Sequence, residues 1–126
     1  MKQQGFTLLE LMIAVLVIGI LSAFGIPAYL NQVESSRETD GQALITRIMQ
    51  DQERYYTENL TYTTDFKDMG YSISNGMNSD EGYYTVSAST CASPSPTTID
   101  GCVLLTGTST TGGEVLTLDS LGNKSW

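Results

Sequence analysis

Few side chains in this sequence are of kinds that do covalent or proton chemistry, and they fall in three places. A Gly5-Phe6 pair is followed closely by a carboxylate, Glu10, at the leading edge of a long apolar run. Two cysteines, Cys91 and Cys102, bracket the loop "ASPSPTTIDG", and five carboxylates, Asp80, Glu81, Asp100, Glu114 and Asp119, are scattered around them. There is no histidine, so the usual general base and the commonest zinc ligand are both missing. No GxSxG, Walker loop, dinucleotide fingerprint or HExxH occurs, and "GTSTTG" has the wrong spacing for a nucleophile elbow. The sequence reads as that of a non-enzyme with no catalytic residue, no cofactor and no metal site, and the five carboxylates read as solvated loop charges.

The elements that carry these residues follow from length and charge. A chain of 126 residues suits one small domain, and setting aside the apolar run leaves only a modest core, so help from a membrane, partners or a disulfide is expected. Six basic side chains against 14 acidic ones give a formal charge of −8, which repels polyanions and excludes nucleic acid as a default partner. From Leu11 to Leu30, "LMIAVLVIGILSAFGIPAYL" contains no charged residue. At about 1.5 Å per residue it spans roughly 30 Å of hydrocarbon. Lys2 and the terminal amine are the only nearby positive charges, so the short N-terminal end should stay cytoplasmic and the remainder be exported. An exported pair of cysteines without CxxC spacing is read as a disulfide, worth about 2–3 kcal/mol for a loop of this size in the chain-entropy account.

A cleaved secretory signal, with Ser22 to Ala23 as a small-residue exit, and an ordinary permanent anchor both compete for the apolar run. Neither accounts for Glu10, because a carboxylate inside a membrane span costs about 2.5–3.5 kcal/mol on insertion scales. The stretch Gly5-Phe6-Thr7-Leu8-Leu9-Glu10, with its tiny basic leader and following apolar run, closely resembles the processing motif of type IV prepilins and of type II secretion pseudopilins.

The resemblance implies removal of residues 1–5 by a prepilin peptidase cutting between Gly5 and Phe6, then N-methylation of Phe6, with residues 6–30 kept as a transmembrane and filament-core helix. It further implies that Glu10 pairs with the Phe6 amine of an adjacent subunit. That pairing would offset the desolvation of both charges and fix axial register. Gly19, Gly25 and Pro27 mark where the helix should bend or melt, since proline removes a donor and glycine weakens helix by about 1 kcal/mol. The pilin family is similar there, with a loosened helix in filaments. Some pseudopilins hold calcium near the C-terminus, a minority reading for this chain's carboxylates.

Beyond the membrane, Val33, Leu44, Ile45, Ile48, Met49 and Tyr56 recur at helical spacing among charged residues. They predict an amphipathic helix to about Tyr56, with Glu34, Arg37, Glu38, Asp40, Arg47, Asp51 and Glu53 on a solvated face. Residues 57–82 read as a long loop with a helical turn near Asp65 to Met69. Its Asn59-Leu60-Thr61, like Asn123-Lys124-Ser125 later, matches a glycosylation sequon by chance. Tyr83–Ser89, Cys102–Thr108 and Glu114–Ser120 read as antiparallel strands, with Val86, Val103, Leu105, Val115, Leu116 and Leu118 facing the helix. The closing "NKSW" adds an edge strand or tucks Trp126 against the sheet.

The expectation is thus an α+β type IV pilin fold, a long helix with hydrophobic and amphipathic halves on a small antiparallel sheet, with residues 31–126 as the globular domain. The small globular part and the ending "LTLDSLGNKSW", similar to a subgroup of small minor pilins, favour a minor subunit that primes or joins the pilus and so serves twitching motility and adhesion. A major pilin and a type II secretion pseudopilin are the alternatives, a DNA-uptake receptor a lesser one, and an inert lectin-like module the least. The partners implied are other pilins, the peptidase and methyltransferase, the inner-membrane assembly platform and the bilayer, with no nucleic acid. The expected itinerary is bacterial inner membrane with a periplasmic globular domain, then extracellular pilus.

Overall fold

A computed structural model describes residues 5–92 and 96–126. Lys2, most of the leader and the centre of the loop between the cysteines, Ser93-Pro94-Ser95, lie outside the described residues. The element order is helix α1 (Leu8–Asn59), a 3-10 turn (Phe66–Met69), and strands β1 (Met77–Asn78), β2 (Tyr84–Thr90), β3 (Val103–Ser109) and β4 (Leu116–Asp119). The chain forms two compact units, Met1–Glu34 and Ser35–Trp126.

In the first unit the helical residues from Leu8 to Leu30 are apolar and exposed apart from Glu10 and a half-buried Ser22. The helix passes the length and apolarity required to cross a membrane, with none of its most apolar window buried.

In the second unit the helix buries Gly41, Leu44, Ile45, Ile48, Met49 and Gln52. These positions repeat at i, i+3, i+4, i+7, i+8 and i+11, a single stripe one helix face wide. Fully burying each large apolar member is worth about 1.5–3 kcal/mol. Opposite them lie Tyr84, Val86 and Ala88 of β2, Val103 and Leu105 of β3, and Leu116 of β4, in one core. Alternation along β2 and β3 is what puts those side chains on one face. Gly41 sets the approach of helix to sheet: a Cβ there would stand 2.6 Å from Tyr84 Cγ and 2.9 Å from Leu116 Cδ1. Gly107 does the same from the strand side, its missing Cβ leaving room for Ile45.

The sheet is an antiparallel meander in the order β1-β2-β3-β4. The three expected strands are present within one or two residues of their predicted bounds. β1 was not expected, because two residues are too few to show alternation. Val115 is a correction: it lies just before β4 and is 52% exposed, whereas Leu116 is buried. With a period of two, one position of offset turns the side chain to the other face.

The loop after α1 is tied down at several points. Leu60 ends the helix in the left-handed region at φ 56°, and its N–H reaches Tyr56 O. Gln52, fully buried, donates from Nε2 to Thr63 O at 2.6 Å and accepts from Thr63 N at 3.1 Å. The Tyr71 hydroxyl donates to Asp51, which also pairs with Arg54 at 3.0 Å. The 3-10 turn has Asp65 as its N-cap and Gly70 in the left-handed region at its end.

Both rims of the sheet are covered. On the outer side of β2, β1 pairs with Thr85 and Val86, and Asn75 mimics a further strand residue, accepting from Ala88 N at 2.9 Å and donating to Ala88 O at 3.0 Å. On the outer side of β4 the C-terminal residues return. Leu118 bridges Lys124, and Ser125 engages Thr117 through both its N–H and its hydroxyl. Trp126 packs half-buried against the core with the Lys124 ammonium 5.6 Å above its ring. The bridge and the tucked tryptophan thus occur together.

The charged face of the amphipathic helix is less solvated than expected. Arg37 and Asp40 are half-buried, the Arg37 guanidinium lies 5.0 Å over the Tyr83 ring, and Asp40 accepts from Glu81 N at 3.4 Å. The reason is the β1–β2 turn, which folds back over that face.

Candidate functional site

The Gly5-Phe6 pair, where the sequence leads one to expect processing, lies exposed and ahead of the helix. Gly5, Phe6 and Thr7 are outside the helix, Phe6 is 89% exposed, and α1 begins at Leu8. A peptide bond held in a helix is a poor protease substrate because its carbonyl and N–H are committed to the ladder. The Gly5–Phe6 bond carries no such commitment.

Immediately after it the chain builds a helix cap. Thr7 is the N-cap residue: its hydroxyl accepts from Glu10 N at 3.2 Å, and Glu10 Oε2 accepts from Thr7 N at 2.9 Å and from Thr7 Oγ1 at 2.8 Å. This is the reciprocal capping box of a T-x-x-E sequence, and it satisfies backbone donors that the first turn leaves open. Glu10 therefore has a local role besides the pairing expected of it, and the Thr7-Leu8-Leu9-Glu10 spacing was its signal in the sequence. A carboxylate offers about four acceptor sites, and Thr7 fills two of them, so capacity remains for an incoming ammonium. Glu10 also stands at the positive end of the helix dipole.

Gly19, Gly25 and Pro27 all lie within α1, and a Cβ at either glycine would meet nothing within 4 Å. No packing in the single chain requires glycine there. The helix runs unbroken through all three positions in the single chain, so no melting is seen there.

Cys91 and Cys102 form a disulfide with their Cα atoms 5.6 Å apart. Asp119 lies beside it, one carboxylate oxygen and both sulfurs being within 4.8 Å of one another. The sulfurs are bonded to each other, and Asp119 accepts from Leu121 N, Asn123 N and Asn123 Nδ2 at 2.8–3.0 Å, so the trio is occupied by internal bonds. Asp119 thus departs from the expectation of a solvated loop charge: it is 9% exposed and organises the turn after β4. Asp80, Glu81, Asp100 and Glu114 are exposed, as expected.

A Gly-Phe pair just ahead of a capped apolar helix with an acid in its first turn, and an amphipathic continuation under an antiparallel sheet, define a type IV pilin. Residues 1–26 match the profile of the prokaryotic N-terminal methylation motif. Residues 27–113 match the profile described as type IV minor pilin ComP, DNA uptake sequence receptor, and the chain belongs to that family. It is 55% identical over 42 residues to a type IV major fimbrial protein FimA of Dichelobacter nodosus, a stretch covering 33% of this chain and 26% of that protein. It is 56% identical over 39 residues to prepilin peptidase-dependent protein D of Escherichia coli K12, covering 31% and 27%. The matched stretch is thus about a quarter of the length of these relatives.

Proposed function

We propose that this chain is a minor subunit of a type IV pilus. It is made as a precursor, cut between Gly5 and Phe6, and methylated on the new Phe6 amine. The apolar helix holds it in the inner membrane, with the globular domain on the periplasmic side, until it is drawn through the assembly platform into the filament among other pilins. There Glu10 neutralises the Phe6 amine of an adjacent subunit. The observation that carries the reading is the tip itself: a scissile bond outside the helix, two residues ahead of a first turn whose acid is already oriented by Thr7.

The capping box sharpens the test, because glutamine also completes such a box while carrying no charge. Mass spectrometry of the membrane-extracted protein should find methylated Phe6 at its N-terminus in wild type, Glu10→Gln and Glu10→Ala alike. Both variants should be depleted from the sheared pilus fraction. Wild-type incorporation of Glu10→Gln refutes the charge pairing, and a mature N-terminus other than Phe6 refutes the reading as a whole. Loss of exoprotein secretion rather than of pili on gene deletion would favour a type II secretion pseudopilin.

A second reading, a receptor for DNA, is favoured by the description of the matching family. Removing Lys2 with the leader leaves five basic against 14 acidic side chains, a balance of −9, so any DNA contact must be local. Arg47 and Arg54, two helical turns apart on one face and both close enough to act on Tyr71, form a basic grouping for such a contact, with Arg54 also paired to Asp51 at 3.0 Å. A gel shift at low salt, abolished by Arg47→Glu with Arg54→Glu, separates this reading from a purely structural role.

A further inference from the structure

The disulfide has a buried acid for a neighbour. Cys102 is fully buried, Cys91 is 5% exposed, and the Asp119 carboxylate is clamped by three N–H donors with one oxygen within 4.8 Å of both sulfurs. The register explains the meeting: Asp119 pairs with Leu104, and Thr90 with Val103, so the next step places Cys91 across from Cys102. Alternation then puts Cys102, Leu104 and Asp119 on the sheet face opposite Val103 and Leu105.

We propose that Asp119 is a positioning residue that makes the Cys91–Cys102 bridge resist thiol–disulfide exchange and discriminate against anionic thiols. In exchange, an external thiolate attacks one Sγ and forms a mixed disulfide. The Cys91–Cys102 bond breaks, and its electron pair leaves on the other Sγ as a thiolate. Negative charge is spread over three sulfurs in the transition state and rests on a protein sulfur afterwards. The fixed carboxylate opposes both. A full charge about 5 Å away corresponds to a factor between about 4 and several hundred, depending on the effective dielectric.

The test uses the full chain in neutral detergent micelles at low salt, reduced by a cationic thiol (cysteamine) and an anionic one (2-mercaptoethanesulfonate). Each rate is normalised to that on a small uncharged disulfide. Local opening cancels in the ratio of the two rates, so a merely structural role for Asp119 would not move it. The normalised cationic-to-anionic ratio should be about tenfold in wild type, fall near one in Asp119→Asn, and survive Asp100→Asn, an exposed carboxylate in the loop closed by the bridge. A wild-type ratio near one overturns the proposal and needs no variant to fold. So does an Asp119→Asn ratio that stays at the wild-type value, or an equal loss in Asp100→Asn, which would assign the effect to net charge.

Discussion

Replacing Gln52 by leucine tests how the loop after the helix is held. The amide reaches both backbone groups of Thr63, itself 7% exposed, so Gln52→Leu strands a buried N–H and a buried C=O together. Each unmet group costs about 1–3 kcal/mol, and the apolar gain of leucine offsets part of this, leaving a net loss of about 2–4 kcal/mol. For a unit of this size the melting temperature should fall by about 10–20 °C, followed by circular dichroism in detergent. Gln52→Glu adds a signed control. A protonated carboxyl can copy the amide, donating to Thr63 O and accepting from Thr63 N, whereas a carboxylate faces the carbonyl oxygen. Folding therefore raises this group's pKa above the ordinary value of about 4.3, and its stability relative to wild type is retained below that value and lost as pH rises towards 7. The reasoning fails if Gln52→Leu melts within a few degrees of wild type, or if the Gln52→Glu difference is flat with pH.

Gly41→Ala gains about 1 kcal/mol of helix propensity but drives a methyl into Tyr84 and Leu116, so denaturant unfolding should show a net loss of about 1–2 kcal/mol. Burial, followed by the hydrogen bond to Asp51, pushes the Tyr71 phenol from its ordinary value near 10 up to about 12. A raised acid contributes its stability below the unfolded value and loses it as pH climbs through the folded one. Wild type should therefore weaken between about pH 10 and 12 more than Tyr71→Phe does in paired denaturation curves, and equal slopes would refute the assignment.

What the sequence disclosed depended on how many residues reported each feature. The helix drew on dozens of positions and two unmistakable patterns, and β2 and β3 on seven residues each, with alternation in β2 and an apolar run opening β3. The cysteine pairing followed from the expected export together with the absence of metal-ligand spacing. Features resting on one or two residues were hidden: β1, the facing of Val115, and the burial of Gln52 and Asp119, whose polar side chains are unremarkable until the groups they satisfy are in place. Gly41, one residue among many in the helix, gave no sign that Tyr84 and Leu116 would leave no room there for a Cβ. At the tip the Thr7-x-x-Glu10 capping sequence is legible in the residues themselves.

Asn75, β1 and the returning C-terminal residues pair part of the outward backbone of β2 on one side and of β4 on the other. In the filament proposed above, copies would stand at very high local concentration, where open strand edges are prone to stitch strand to strand, a contact that is hard to undo. With those edges partly occupied, cohesion between neighbouring copies would fall to side chains and to the apolar stem.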